Sequence, residues 1–203
     1  MSLVSLATFK EYLPEIQGSG SDTELQNLLD RVESAIAEYI GFPAYFDDGY
    51  IAPQLSARSY TLYIDSPFND IPYMLPLPIR PVNSITSWHS DVERLYGSDT
   101  EIASSEYDLD NVLGRLYLKT TSSETIESGI RANKVVLNAG WTTAPEDLEH
   151  AICVYASALQ RGKQSQGKDS TTQRNVTVKF SLRTMPQEVK DLLYPFRVYR
   201  RMM

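Results

Sequence analysis

The stretch Ser21-Asp-Thr-Glu-Leu-Gln-Asn-Leu-Leu-Asp-Arg-Val-Glu-Ser-Ala-Ile-Ala-Glu-Tyr-Ile-Gly41 decides how the chain is read. Leu25, Leu28, Leu29, Val32, Ile36, Tyr39 and Ile40 fall at helical spacing and make one apolar stripe. Ser21 and Glu24 have the spacing of a capping box, and Gly41 stands where a helix ends, with Pro43 just beyond. The spacing predicts a helix over 22–40. An amphipathic helix of this kind is not stable alone, so its stripe needs a partner elsewhere in the chain.

Two further helical segments supply that partner. Residues 6–13 read as a short helix, with Ser5 as its cap and Pro14 as its stop. Pro145-Glu146-Asp147 opens a third helix over 145–161, since proline suits the first turn and acids suit the positive end. Leu148, Ile152, Tyr155 and Leu159 form its stripe.

Between these helices the pattern changes. Prolines at 53, 67, 72, 76, 78 and 81 forbid long helices. Short β-prone runs lie among and after them: 60–64, 84–88, and 107–110 with 115–118 about an Asn111-Val-Leu-Gly114 turn. Lys134-Val-Val-Leu-Asn138 reads as one more strand. Residues 163–174 are polar and aperiodic, as in a linker. Beyond them, 175–182 alternates as a strand and 184–193 reads as a short helix.

The expected fold class is therefore α+β. Residues 1–43 and 131–162 form a discontinuous helical core, 44–130 a β-rich antiparallel insertion, 163–174 a linker, and 175–203 an extended C-terminal tail that docks on partners.

Charge separates the tail from the rest. The 203 residues carry a formal charge of −7. From Arg174 onward, seven basic residues face only Glu188 and Asp191, which leaves the tail near +5 and residues 1–173 near −12. Such asymmetry speaks to partners rather than to fold. Tyr194, Phe196 and Tyr199 lie among these arginines, and aromatic and arginine side chains are the usual anchors of interfaces.

Catalytic and metal-binding chemistry finds little support. His89 and His150 are isolated, and no H-x-x-x-H or C-x-x-C occurs. Cys153 is the sole cysteine, set mid-helix where a small buried side chain belongs. Asp47-Asp48 and Asp108-x-Asp110 lack the calcium-loop pattern and read as turn residues. Gly18-Ser-Gly-Ser is not followed by the Gly-Lys-Ser/Thr of a phosphate loop. No catalytic, metal or cofactor residue is expected, and no membrane span.

In their order along the chain, several segments resemble the head–tail connector (adaptor, or head-completion) proteins of tailed bacteriophages. Leu6-Ala-Thr-Phe-Lys-Glu-Tyr-Leu13 with Asp22–Leu29 and Ala35–Gly41 is similar to the family's opening helix pair. Tyr107–Asp110 through Gly114–Leu118 is similar to its hairpin, and Val135–Trp141 with Ala144–Ala151 to its strand and third helix. Met185-Pro-Gln-Glu-Val-Lys-Asp-Leu-Leu-Tyr-Pro-Phe-Arg197 is similar to its C-terminal signature, whereas 44–105 matches least.

The resemblance implies a non-enzymatic virion protein at the head–tail interface, assembled in the host cytoplasm. Identical subunits, twelve being the expected number, would form a ring between the portal protein and a tail-side stopper or tail-terminator protein. Double-stranded DNA would pass through without specific binding. The family's C-terminal segment reaches the portal. Together with the tail's composition, this makes Leu192, Leu193, Tyr194, Phe196, Arg197, Tyr199, Arg200 and Arg201 the candidate residues for the portal or a neighbouring subunit. The alternative is a nucleic-acid-binding protein, with Arg197, Arg200 and Arg201 on phosphates and Tyr194 and Tyr199 stacked on bases.

Overall fold

A computed structural model describes residues 2–16, 18–42, 45–46, 49–50, 53–66, 73–162, 170–173, 176–179 and 185–197. Asp47, Asp48, Thr184, Tyr199, Arg200 and Arg201, with residues 163–169, 174–175 and 180–183, lie outside the described residues. The chain divides into two units: residues 1–40 with 143–197, and 41–142 with 198–203.

The first unit is helical. Helix α1 (Leu6–Glu11) begins where the Ser5 hydroxyl accepts the Thr8 N–H at 3.0 Å. Helix α2 (Asp22–Ile40) has the bounds its sequence predicts and buries Leu25, Leu29, Val32 and Ile36. Glu33 is also buried, a position the apolar pattern passes over. Its carboxylate accepts the Leu3 and Val4 N–H groups at 2.7 and 3.1 Å and thereby ties the leading segment to α2. Helix α3 (Glu146–Gly162) packs against α2 and buries Leu148, Ile152 and Cys153. Arg161, near its end, donates to Glu15 and to the Tyr12 carbonyl, both at 2.9 Å.

The second unit is built of antiparallel strands. Strands β1 (Tyr45–Phe46) and β2 (Gly49–Tyr50) pair with each other. Strands β3 (Arg58–Ser66), β4 (Met74–Pro76), β5 (Val82–Ser90), β6 (Tyr107–Asp110), β7 (Arg115–Leu118) and β8 (Gly129–Ala139) make two three-stranded sheets. Their orders are β3-β8-β5 and β4-β7-β6. Inward residues such as Tyr60, Leu62, Val135, Leu137 and Leu116 meet in the core. Trp88 of β5 is fully buried and sets its ring edge-on to Tyr107 of β6, centroids 5.3 Å apart. Its indole N–H donates to the Asn133 side-chain oxygen at 3.1 Å. Gly140, at φ 111°, ends β8 so close to the chain that a Cβ would stand 2.7 Å from the Leu55 carbonyl oxygen.

Three expectations are corrected. Residues 131–142 do not belong with the helices. Strand β8 holds the centre of its sheet, paired on both sides, and the helical unit resumes at Thr143. The 163–174 linker does not extend to Gln173. Strand β9 (Ser170–Gln173) pairs antiparallel with β10 (Val176–Lys179), because β-branched threonines suit an extended ladder. The 175–203 tail is not separate up to Arg197. Helix α4 (Gln187–Leu193) packs on α3, with Val189 and Leu193 fully buried in the helical unit.

Candidate interaction surface

The C-terminal segment is the place of contact that composition points to, and its sequence explains its course. Pro186 precedes α4 with extended backbone, and Val189 and Leu193 are four residues apart, so both face α3. A 3-10 turn, Tyr194–Phe196, comes next, with Pro195 inside it. The chain then turns extended at Arg197, whose guanidinium lies 5.2 Å over the Tyr39 ring of α2.

The candidate residues therefore separate. Leu193 is core, not surface. Leu192, Phe196 and Arg197 are half-buried. Tyr194 is 62% exposed and is the large side chain that this segment offers outward. Tyr199, Arg200 and Arg201 lie outside the described residues.

The residues weighed for chemistry are dispersed. His89 Nδ1 lies 3.2 Å from the Gly97 carbonyl oxygen, and His150 Nδ1 3.0 Å from the Tyr12 hydroxyl. Burial pushes the Cys153 thiol up to about 12, with Glu149, Glu11 and Glu33 adding to the shift, so it is no nucleophile at neutral pH. Asp108 is 3.7 Å from Lys119. Asp110 accepts the N–H groups of Val112 and Leu113 at 3.1 and 2.8 Å, as a turn residue does. Among the described residues, no three His, Cys, Asp or Glu side chains converge as a metal site would need.

A second surface, which the sequence does not signal, lies in the β unit. Asp91 is buried just after β5, and its carboxylate accepts the N–H groups of Glu93, Leu95 and Tyr96 at 2.8, 2.7 and 2.7 Å. These bonds, that from Tyr96 foremost, hold its pKa below the usual carboxylate range against the opposing effect of burial. The Tyr96 hydroxyl donates to the Arg131 carbonyl at 2.6 Å, and its ring meets Tyr63 at 5.5 Å. Arg94, Tyr96 and Arg131 all take left-handed backbone, at φ 62°, 52° and 57°. The loop leaves Val92 and Leu95 exposed, beside Ile130. The residue types give no hint of this, because arginine and tyrosine rarely adopt that conformation.

Comparison with solved structures finds this fold in a gene transfer agent (GTA) particle. A chain of a structure described as "Neck of empty GTA particle computed with C6 symmetry" aligns with a TM-score of 0.62 at 18% identity, covering 98% of this chain and 92% of that one. A chain of "Virion of native gene transfer agent (GTA) particle" gives 0.58 at 18% identity, with the same coverage. One of "Neck of native GTA particle computed with C12 symmetry" gives 0.54 at 17% identity, covering 100% of this chain and 96% of that one. At these identities the likeness is one of fold, and it runs through both units. No protein-family model matches the sequence. No curated protein matches it either.

Proposed function

We propose that this chain is a structural subunit of the head–tail neck of a tailed-phage-like particle. In this reading, identical copies form a ring, twelve being the expected number. The ring joins the portal protein to the tail side and lines the channel through which double-stranded DNA passes. The observation that carries the reading is a fold shared over nearly the whole chain with chains of particle necks whose structures were computed with C6 and C12 symmetry. The order of sequence segments that resembles the connector family supports it independently. A structural rather than enzymatic role also agrees with the dispersed titratable groups and the buried Cys153 thiol.

The portal contact is assigned to the exposed side of the C-terminal segment. Tyr194 is its anchor, with Leu192 and Phe196 at its edge and Tyr199, Arg200 and Arg201 next along the chain. Leu193 acts behind this face by holding α4 on α3. Negative-stain electron microscopy of the purified protein mixed with portal protein tests the reading. Rings seated on the portal are expected, and portal particles that remain bare would overturn it.

A further inference from the structure

We infer that copies of this chain touch one another through two apolar projections at opposite ends of strand β5, the Val92–Leu95 loop of one copy meeting the Val112–Leu113 turn of the next. This inference rests on the ring reading above. Seven large apolar side chains are exposed among the described residues. Five of them, Val92, Leu95, Val112, Leu113 and Ile130, stand at these two places.

The two places lie at the two ends of one strand. The Val82 N–H, at the start of β5, donates to the Asn111 carbonyl at 3.1 Å, which puts the Val112–Leu113 turn there. At the other end, Asp91 follows β5 directly and its N–H donates to the Ala132 carbonyl at 2.7 Å. A nine-residue strand separates its ends by roughly 27 Å.

Both projections are preorganised. In the loop, Asp91 fixes three N–H groups, and Arg94 and Tyr96 hold left-handed backbone. In the turn, Asp110 fixes the N–H groups of Val112 and Leu113. Gly114, at φ 65°, closes it so near the chain that a Cβ would meet the Ile79 carbonyl oxygen at 2.8 Å. Backbone outliers of this kind gather where a surface must keep one shape for contact.

The occupant that fits is a second copy. A ring is a heterologous assembly, so each subunit needs two different surfaces spaced apart, whereas one self-complementary patch closes a dimer. Charge allows such a contact. Two copies at −7 each repel. The side chains of Val92, Leu95, Val112 and Leu113 are uncharged and exposed, so a contact made through them brings no like charges of its own together.

A cross-linking experiment on the full chain tests this. The L95C/L113C double variant is treated with a bismaleimide linker too short to span β5 within one copy. The native Cys153 is fully buried, with its thiol pushed up to about 12, and stays silent. A ladder of covalent multimers beyond the dimer is expected on a denaturing gel. Each single variant should give nothing beyond a dimer. If the double variant gives no ladder while the wild-type chain forms rings, the contact is overturned and the ring reading stands. If there is no ladder and the wild-type chain stays monomeric both alone and with portal protein, both fall.

Discussion

The guanidinium of Arg197 lies over the ring of Tyr39, 5.2 Å from its centroid. One residue of the basic C-terminal segment is thus bound to the second helix of its own unit. At α4 the segment does not hang free. It folds back through α4, and Arg197 is a fixed point on the helical unit.

Leu193→Ala should therefore act on stability before it acts on assembly. It removes a fully buried side chain between α4 and α3, at a cost of about 2–5 kcal/mol. Arg197→Ala, by contrast, should cost about 0.5–1 kcal/mol, the usual size of a cation–π contact near a surface. Urea unfolding of the two variants beside wild type measures both. An Arg197 variant as damaged as the Leu193 one would contradict the ordering.

Asp91 predicts an acid sensitivity. Its folded pKa lies below the ordinary aspartate value. Its contribution to stability is thus fully present above about pH 4 and is lost as pH falls through the folded value. Asp91→Ala should flatten the acid side of the stability curve relative to wild type, and should free the Tyr96 N–H for rapid hydrogen exchange. An unchanged acid slope would mean that the carboxylate does not hold the loop.

Asn133 couples three parts of the β unit. Its side-chain oxygen accepts the Trp88 indole N–H, and its amide donates to the Ser66 hydroxyl at 2.8 Å and to the Glu127 carbonyl at 3.3 Å. Asn133→Ala leaves the buried indole N–H unpaired and should cost about 1–3 kcal/mol. Trp88 fluorescence followed through denaturation reports it, and a midpoint equal to wild type would contradict the account.

The ring reading and the nucleic-acid alternative differ in salt dependence. Arg197 already faces Tyr39, and the chain as a whole is acidic. Double-stranded DNA should not be retained by the purified protein in a low-salt mobility-shift assay. Retention that weakens steeply as salt rises, the mark of released counterions, would favour the alternative.

Much of this fold is legible in the residues alone. Helix α2 announces itself through seven apolar residues on one stripe between a cap and Gly41, and Asn111–Gly114 through its turn chemistry. The place of β8 is not legible. Val135 and Leu137 show a strand, but only pairing with the distant β3 and β5 decides which unit owns it. The four-residue spacing of Val189 and Leu193 carries a signal for a packed face, obscured by the basic residues around it. The loop after β5 carries none, since its form depends on Asp91 holding the Leu95 and Tyr96 N–H groups while Arg94 and Tyr96 take backbone that their side chains disfavour.

The most direct test of the central claim is the mass of the assembled species, read by mass photometry on the purified chain with and without portal protein. The account predicts a discrete particle at twelve times the 22.9 kDa chain mass, alone or added to the mass of the portal. A chain that stays at monomer mass under both conditions, or grows into open fibres of no fixed size, would contradict it.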